Sequence, residues 1–483
     1  MRTAGNGGDQ EGAVSDSASA SPPRRGDICP TAAPAPLERR WSRRKIHLLA
    51  LLLAASVCAY TDRLILPLLQ ELIKPELKLS DADLGLATGP AFALFYALSG
   101  LPIARLAERF NRVRLLAGAV ALWSVMTAAC GAVMGLPTLL LARLGVGFGE
   151  GGCTPVSHSL LSDHFPARQR GAAMAVLSTG GPLAGVLMPV IGGYVAHVWG
   201  WRFAFLFLGI TGALLAMLIA LTLRDPRATG AVAPPRPERL RADLGWLARS
   251  PSFVWIFFGG ALMGIGQAGF RVFLPSFMIR VHGLSIVEAG TVIGMMGLTG
   301  VAGTFIGGWM ADRFSGRFGR SYPLTCGIGG LLTGAMYLGA LEQRDWTMAL
   351  IFLLAGALAS DLKTAPNYAA VQNVVPPRMR ATAAAVFMIA ATLIGGSIGP
   401  AAAGFVSDHF AGAAFPTALG AFATVCPGGH AAATAPEAAR HACLAASAAG
   451  LHAALGVIAF SFLGSGIAFI ICSRFFRTHE DNA

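Results

Sequence analysis

Long apolar stretches recur along the chain from Ile46 to Phe475, and short charged or Pro/Gly-rich breaks separate them. Each stretch holds about 20 residues, the length that an α-helix needs to cross the hydrocarbon core of a bilayer. Because a backbone in hydrocarbon must satisfy its own hydrogen bonds, each stretch is predicted to be a helix. The twelve predicted spans are residues 46–73, 82–104, 113–134, 137–162, 170–197, 202–223, 252–280, 286–311, 321–341, 346–373, 380–407 and 449–475. The pattern therefore predicts an all-α, polytopic membrane protein with twelve transmembrane helices.

Three segments interrupt this pattern. Residues 1–44 are rich in Gly, Ala, Ser, Pro and Arg and lack the apolar run of a secretory signal, so we expect a disordered cytoplasmic tail. Residues 224–250 form a long charged break that divides the spans into six and six, and residues 408–448 form a long Ala-rich outer loop between the last two helices. The remaining predicted parts are an N-terminal six-helix bundle (45–223), a C-terminal six-helix bundle (251–477) and a short tail (478–483).

The two halves of the chain repeat the same short motifs in the same order. "RLILP" at 63–67 returns as "RVFLP" at 271–275, and "LSDADLG" at 79–85 returns as "LSIVEAG" at 284–290. Two further pairs follow, and all four are offset by 204 to 210 residues. An internal duplication of this kind predicts two pseudo-symmetric bundles that bind substrate at their interface and alternate access by rocking.

Composition agrees with a membrane protein, because 54% of the residues are hydrophobic, only 13% are charged, and the mean hydropathy is +0.60. The net charge of +12 reflects topology rather than a nucleic-acid partner. Of the 37 Lys and Arg residues, 27 fall in inside segments, 6 in outside loops and 4 within the spans. This positive-inside pattern predicts an integral protein of a bacterial-type plasma (inner) membrane with both termini in the cytoplasm.

Ionisable residues inside the spans are the strongest functional signal, because such groups are costly in lipid and usually mark a pathway. The first span contains Asp62 and Arg63 in "AYTDRLILP", and the fourth contains Arg143 and Glu150 on one helix face. An acid near a movable arginine can change its charge when the arginine moves. We predict that Asp62 and Glu150 are proton-linked acids; the alternative is a static ion pair between the two spans.

The second half adds Arg271, Asp361 and Lys363 within its spans. With all seven intramembrane groups ionised, one positive charge remains, so an anionic or zwitterionic head group is the expected ligand. His158 is either a proton relay or an ordinary helix histidine near the inner boundary. The residues predicted to contact substrate are Tyr60, Arg63, Arg143, His158, Arg271, Asp361 and Lys363.

Two matching loops suggest a latch on the inner side. "ARLAERFNRVR" and "GWMADRFSGRFGR" each place an acid at a helix end with arginines close behind. Such an acid can pair with arginines of a neighbouring helix in one conformation and release them in another; the alternative is a positive-inside anchor. The predicted latch residues are Glu108, Arg109, Arg112, Asp312, Arg313 and Arg317.

Other motifs argue against enzyme classes. "GIGQAG" at 264–269 matches a nucleotide-binding pattern, but it lies in an apolar helix with no preceding strand. Neither a P-loop nor a G-x-S-x-G motif occurs, so we expect no ATP-driven or hydrolase activity, no metal and no cofactor beyond a proton gradient. Cys426 and Cys443 both lie in the outer loop, where a disulfide is plausible.

The latch motifs resemble the G-x-L-A-D-R-x-G-R signature loop of the major facilitator superfamily, with departures in the first copy at Ala104, Glu108 and Asn111. The N-terminal half more closely resembles the spinster family in "YTDRLILP", "FALFYALSGLPIARLAERFNR" and "RLGVGFGEGGCTPVSHSLLSDHFP". Asp163 favours spinster over the related anion:cation symporters. The resemblance implies a proton-linked transporter of lysophospholipids or sphingoid phosphates, with functional groups at Asp62, Arg63 and Glu150.

The sequence thus predicts a proton-coupled secondary transporter of an amphipathic anionic or zwitterionic molecule. Its expected partners are this substrate, protons and membrane lipid, and we expect a monomer. The alternatives are a symporter of sugar acids, a drug-efflux antiporter, or a sensor or scaffold that keeps the fold without transport. A scaffold would tolerate neutralisation of Asp62 and Glu150, whereas a proton-driven transporter would not.

Overall fold

A computed structural model describes residues 41–225, 237–315, 320–376, 379–432 and 434–476. The predictions made for residues 1–40, for Arg317 and for residues 477–483 lie outside these ranges. The helices of the first half are α1 (Arg43–Leu77), α2 (Asp81–Thr88), α3 (Pro90–Arg109), α4 (Arg112–Cys130), α5 (Leu136–Glu150), α6 (Cys153–His164), α7 (Ala167–Ser178), α8 (Gly180–Trp199) and α9 (Trp201–Thr222). After α10 (Pro237–Arg249), those of the second half are α11 (Pro251–His282), α12 (Ile286–Ser315), α13 (Ser321–Leu341), α14 (Trp346–Asp361), α15 (Thr364–Val374), α16 (Arg380–Met388), α17 (Gly395–Ala414), α18 (Phe422–Val425) and α19 (Glu437–Phe475). The described residues contain no β-strand, and this confirms the predicted all-α class.

Eleven helical stretches in the described part of the chain are long and apolar enough to cross a membrane. They match the predicted spans in order, except for the fourth. There, α5 ends at Glu150 and α6 begins at Cys153, so neither helix alone has the length of a span. The second half repeats the break, because α14 ends at Asp361 and α15 begins at Thr364. Each break leaves an acid as the last residue of a helix.

The two halves meet where α2 packs on α17 and where α8 packs on α12. Small residues allow the first of these contacts. A Cβ atom on Gly85 would lie 2.3 Å from the carbonyl oxygen of Pro400, so only glycine permits the two backbones to approach this closely. The interface between the halves is therefore tight at the level of α2 and α17.

Two predicted irregular segments contain helices. The charged linker 224–250 carries α10, whose Leu247 is buried in an apolar cluster with Phe253 of α11. Both ends of the predicted outer loop 408–448 are helical, since α17 continues to Ala414 and α19 begins at Glu437, which leaves residues 415–436 as the loop, with the short helix α18 inside it. Alanine is the strongest helix former, so the Ala-rich sequence extends the helices instead of ending them. With 39 residues, α19 is the longest of the described helices.

We name the two ends of the helix bundle by the features that lie there. The linker end is where α1 begins and where Asp225, the last described residue before α10, lies. The disulfide end is where α1 terminates and where Cys426 and Cys443 are joined. Helix α1 runs from the first end to the second.

Candidate functional site

A cavity of about 680 Å³ lies between the halves and is lined by residues of α1, α7, α8, α11, α12, α13, α14, α15 and α19. Most of its lining side chains are apolar, and they include Leu64, Phe270, Ile293, Met296 and Phe305. Four residues predicted to contact substrate also line it: Tyr60, Arg63, Arg271 and Asp361. The cavity therefore combines an apolar wall with charges from both halves.

Arg63 is held against the first half by an ion pair and by aromatic rings. Its Nε donates to Oε2 of Glu150 at 2.7 Å, and the Glu150 side chain is fully buried. The guanidinium carbon lies 4.6 Å from the ring centre of Tyr96, 5.1 Å from that of Phe92 and 5.4 Å from that of Tyr60. Such cation–π contacts stabilise a guanidinium that has left bulk water. Phe92 and Tyr96 were not predicted, although their spacing of four in "FALFY" places both on one face of α3.

Asp62 does not line the cavity with Arg63. It is buried towards α4 and α5, where its carboxyl lies within electrostatic range of Thr127, Arg143 and Glu150. Consecutive residues of a helix point about 100° apart, so the helix that turns Arg63 to the cavity turns Asp62 away from it. Arg63 therefore lines the cavity, whereas Asp62 lies behind the cavity wall.

Arg143 is likewise buried behind the cavity wall. Its Nη1 lies 3.5 Å from the carbonyl oxygen of Asp62, and its Nε donates to the carbonyl oxygen of Ala87 at 3.4 Å. Its guanidinium also lies 4.9 Å from the ring centre of Phe92. The prediction that Arg143 contacts substrate does not fit this placement, since the side chain links α5 to α1 and α2.

One buried polar atom here, Oε1 of Glu150, has no hydrogen-bond partner among the described residues. Buried polar groups are usually hydrogen-bonded, so this carboxylate is unusual in having one oxygen held by Arg63 and the other without a protein partner among the described residues. Within the described ranges, no group of three His, Cys, Asp or Glu residues could hold a metal ion.

The charges of the second half are arranged differently. Arg271 is exposed to the cavity and has no carboxylate within 4.0 Å among the described residues. Asp361 accepts a hydrogen bond from Thr364 at 3.1 Å. Lys363 is buried and donates to the carbonyl oxygen of Ser360. The duplication therefore gives a closed ion pair in the first half and separated charges in the second.

Two predicted substrate contacts lie elsewhere. Lys363 follows the break after α14 and turns towards the core of the second half, near Cys326, instead of towards the cavity. His158 lies exposed on α6 and is not among the residues that line the cavity. Hydropathy places both residues inside predicted spans, but it does not determine the helix face on which each side chain lies. A shift of one residue along a helix turns the side chain by about 100°.

The disulfide end is closed by a buried ion cluster that joins the halves. Arg280 of α11 pairs with Glu71 of α1 at 2.7 Å and with Asp81 of α2 at 2.8 Å. Lys74 pairs with the same Asp81 at 2.6 Å. Next to this cluster, Gln70 of α1 donates to the carbonyl oxygen of Val272 at 3.0 Å. None of these contacts was predicted, since each joins residues on separate spans.

Helix α17 and its neighbours extend this closure. The two carboxylate oxygens of Asp408 accept from the backbone N–H groups of Asp81 and Ala82, at 3.1 and 2.8 Å. This caps the N-terminus of α2, where a negative charge is stabilising. Ser407 donates to Asp81 at 2.7 Å. The cavity is thus sealed from the disulfide end by groups of both halves.

The loop that carries the disulfide lies on this cluster. Cys426 and Cys443 are bonded and buried, and they pack with Phe415 and Ala446. A Cβ atom on Gly428 would lie 2.6 Å from the carbonyl oxygen of Lys74, and its φ of +70° also favours glycine. The loop therefore rests directly on the end of α1.

At the linker end, Arg112 occupies the centre of a second ion cluster. Its Nη1 donates to Asp163 at 2.7 Å and to Ser159 at 2.9 Å, and its backbone N–H donates to Asp225 at 2.8 Å. The Arg112 guanidinium also pairs with Asp225. This ties α4 and α6 to the segment that follows α9, and the role of Asp225 was not predicted.

Three other predicted latch residues, Arg109, Asp312 and Arg313, are not among the described contacts of this cluster. Arg109 and Arg313 are exposed, and Asp312 accepts a hydrogen bond from the Tyr322 hydroxyl at 3.2 Å. The side chain of Glu108 lies outside the described part of the chain, as does Arg317. Arg112 therefore pairs with acids other than the Glu108 of its own motif.

The sequence is similar to a known protein family and to several transport proteins. The family model described as Major Facilitator Superfamily matches residues 51–400. An "MFS-type efflux pump" of Mycolicibacterium smegmatis is 33% identical over 373 residues, which cover 77% of this chain and 86% of that protein. A "probable galactarate/D-glucarate transporter" of Bacillus subtilis is 26% identical and covers 66% of this chain and 76% of its own. Human "protein spinster homolog 1" is 27% identical, and the match covers 76% of this chain and 74% of that one.

A solved structure resembles the whole fold. It is a bacterial homologue of the human lysosomal transporter spinster in an inward-facing, unoccupied conformation. It is 27% identical, superposes with a TM-score of 0.79, and covers 90% of this chain and 98% of its own.

Proposed function

The chain belongs to the major facilitator superfamily, and we propose that it transports an amphipathic anionic or zwitterionic molecule, such as a lysolipid or a sphingoid phosphate, by proton-coupled alternating access. The resemblance to this superfamily and to spinster proteins, inferred above from the sequence, is confirmed. The superfamily consists of transporters, so the expectation that the chain is not an enzyme is confirmed as well. The observation that carries the proposal is a cavity between the halves with an apolar wall and two arginines.

The chemistry of the wall favours an amphiphile. Ligand sites usually combine a mostly apolar lining with a few polar groups that fix orientation. Here Phe270, Met296 and Phe305 can cover an alkyl chain, while Arg63 and Arg271 can bind an anionic head group. A sugar acid has a hydroxyl on most carbons and would leave many polar groups against this wall without a partner. A sugar-acid substrate is therefore the weaker proposal.

Proton coupling follows from the pair Arg63 and Glu150. When Glu150 is ionised, it holds Arg63 against the first half at 2.7 Å. Protonation of Glu150 would remove its negative charge and leave Arg63, which lines the cavity, free to turn to the substrate anion. Asp62 and Arg143 form the buried support behind this pair. The charge of Glu150 and the occupancy of the cavity are thereby linked.

Two features support a plasma-membrane protein with cytoplasmic termini. The basic residues concentrate at the linker end of the chain. A disulfide lies at the opposite end, and disulfides persist in oxidising compartments outside the cytoplasm. Both features favour the linker end as the inner end.

The first prediction concerns neutralisation of Glu150. In liposomes with an imposed pH gradient, we expect Glu150→Gln to abolish gradient-driven uptake of a lysolipid but to retain exchange between labelled and unlabelled substrate. Asp62→Asn should reduce gradient-driven uptake in the same way. Uptake is measured with radiolabelled lysophosphatidylethanolamine, and Glu437→Gln, an exposed acid on α19, serves as the matched control. Gradient-driven uptake at the wild-type rate in Glu150→Gln would overturn the mechanism.

The similarity to an efflux pump favours a second candidate, which is drug export in exchange for protons. The two candidates differ in the ligand that the cavity prefers. If cationic drugs compete for the cavity more strongly than lysolipids do, drug export is the favoured candidate.

A further inference from the structure

A basic surface lies at the linker end of the second half, away from the cavity and from both ion clusters. It consists of Arg249 at the end of α10, Arg380 at the start of α16 and Arg474 at the end of α19, and all three side chains are exposed. Among the described residues, none of these arginines forms an ion pair within 4.0 Å. The described part of the protein therefore leaves the three positive charges of the basic surface unpaired.

One apolar cluster brings the three arginine-bearing helix ends together. Each arginine lies within two residues of a buried member of this cluster, namely Leu247, Met379 and Phe476. In addition, the Ser252 hydroxyl of α11 donates to the carbonyl oxygen of Phe475 at 2.7 Å, which links the chain that follows α10 to the end of α19. The three arginines therefore surround the same part of the linker end.

The basic surface lies at the depth of the lipid head groups. The adjoining membrane spans are Pro251–His282, Thr382–Ala414 and Glu437–Phe475, and each arginine is within two residues of the end of one of them. With 32 residues, α11 is about 48 Å long. The hydrocarbon and both head-group layers of a bilayer together measure about 40–45 Å. The ends of these helices therefore reach the layer in which the lipid phosphates lie.

Two exposed aromatic side chains accompany the arginines. Trp246 of α10 is 40% exposed, and Phe475, next to Arg474, is 49% exposed. Tryptophan is enriched at membrane–water interfaces, where its ring lies at the level of the head groups. A guanidinium can donate two parallel hydrogen bonds to phosphate oxygens. Aromatic rings beside guanidinium groups thus suit a molecule that carries both an acyl chain and a phosphate, whereas a soluble anion would leave the rings without a contact.

We propose that the basic surface binds the head group of an anionic phospholipid and that this lipid holds α10 against the second half. Within residues 241–249 of α10, only Leu247 is buried, so this part of the helix has few apolar contacts of its own with the bundle. A phosphate that contacts Arg249 of α10 together with Arg380 or Arg474 of the bundle adds a second connection. A basic residue near an anionic membrane surface gains about fivefold in affinity, whereas the head group of a zwitterionic lipid brings its own positive charge.

Hydrogen exchange of the α10 amides tests this on the purified full-length protein in nanodiscs. Nanodiscs of phosphatidylglycerol mixed with phosphatidylcholine are compared with nanodiscs of phosphatidylcholine alone. We expect the amides of residues 241–249 to exchange at least fivefold more slowly when phosphatidylglycerol is present. This comparison requires no variant, and it is independent of the proposed transport function because it uses neither a substrate nor a proton gradient.

Variants then locate the effect. We expect the triple variant Arg249→Gln, Arg380→Gln, Arg474→Gln to exchange its α10 amides at rates within twofold of each other in the two kinds of nanodisc. Arg440→Gln is the matched control, since Arg440 is an exposed arginine at the opposite end of α19, and it should keep the wild-type difference. Exchange of the α11 amides, measured in the same experiment, reports whether each variant is folded.

Three results would overturn the assignment. The first is equal exchange of the wild-type α10 amides in the two kinds of nanodisc, and the second is a phosphatidylglycerol effect that persists in the folded triple variant. The third comes from glycerol phosphate added to phosphatidylcholine nanodiscs, which distinguishes a lipid from a soluble anion. We expect glycerol phosphate to leave α10 exchange unchanged, and protection by it would mean that the basic surface takes a soluble phosphate instead.

Discussion

Asp62 and Arg63 are neighbours in the chain but lie in different environments. Arg63 lines the cavity and is caged by Phe92, Tyr96 and Tyr60, while Asp62 is buried towards α4 and α5. The sequence predicts that charges occur here, since two of them interrupt an apolar span. Which of the two faces the cavity depends on the rotation of α1 about its axis, and hydropathy does not determine that rotation.

Single glycines control how closely the helices approach. A Cβ atom on Gly307 of α12 would stand 1.7 Å from the carbonyl oxygen of Leu362, the residue after Asp361. Backbone cannot yield as a flexible side chain does, so we expect Gly307→Ala to lower the free energy of unfolding by about 1–3 kcal/mol. Gly118 of α4 is exposed, and a Cβ atom added there would meet no neighbouring atom of the described residues within 4 Å. We expect Gly118→Ala to be neutral or to stabilise by up to about 1 kcal/mol.

Thermal unfolding of both variants in the same detergent checks this expectation. A Gly307→Ala protein as stable as Gly118→Ala would mean that α12 can move away from the α14–α15 break without cost.

At the scale of elements, the broken helices are the repeated feature. Both α5 and α14 end at an acid, at Glu150 and Asp361, before a short break and a second helix. A helix end leaves carbonyl groups without intrahelical partners, so the chain near a break is polar and suits a site at the cavity wall. In the sequence, Glu150 and Asp361 each lie five residues before a proline, Pro155 and Pro366, but the sequence does not show that one acid is ion-paired and the other is not.

The loop 415–436 is a separate element whose docking should depend on pH. His430 lies beside Glu71, Lys74, Asp81 and Arg280, and burial lowers the pKa of its imidazole below the ordinary 6.5. Docking of the loop therefore has its full stability above about pH 6.5 and loses stability as the pH falls through the lowered pKa, because the undocked state binds the proton more readily.

Hydrogen exchange of the backbone amides of residues 428–430 measures this. We expect their protection to fall between about pH 6.5 and 5 in the wild-type protein. His430→Gln should show no such change, and exposed His441→Gln should behave as the wild type. Equal pH dependence in His430→Gln and the wild type would show that another group controls docking.

For the whole molecule, the structure represents one of the two states that the proposed alternating access requires. The cavity lies between the halves and is sealed at the disulfide end by Arg280, Glu71, Asp81 and Asp408. Alternation requires this cluster to open, because it joins α11 and α17 of one half to α1 and α2 of the other. The cluster is therefore expected to set the balance between the two conformations.

Removal of Arg280 should shift this balance. Arg280→Gln leaves Glu71 and Asp81 buried with Lys74 alone, and breaking a buried ion pair costs about 3–5 kcal/mol. We expect the sealed end to open in most molecules, with a longer distance between spin labels at Lys78 and Val281, measured by pulsed electron paramagnetic resonance. Arg202→Gln is the matched control, since Arg202 pairs with exposed Glu76 of the same half. An unchanged distance in Arg280→Gln would show that apolar packing, not the ion cluster, holds this end closed.

The sequence predicts the order of the spans, the duplication and the family, because these depend on hydropathy and on local motifs. It does not predict the cluster at the disulfide end, since Glu71 and Arg280 are 209 residues apart and meet only when the halves assemble. The partnership of Arg112 with Asp225, across 113 residues, was missed for the same reason. The rotation of each helix about its axis explains why Lys363 and His158, which were predicted to contact substrate, do not line the cavity.

The length of α19 has a practical consequence. Its 39 residues extend about 58 Å, nearly twice the roughly 30 Å of membrane hydrocarbon. The excess length therefore extends the helix beyond the hydrocarbon, and Cys443 ties its first turns rigidly to the loop at the disulfide end. A helical fusion partner joined in register ahead of Glu437 would inherit that rigidity and give electron cryomicroscopy a fixed marker on a small particle.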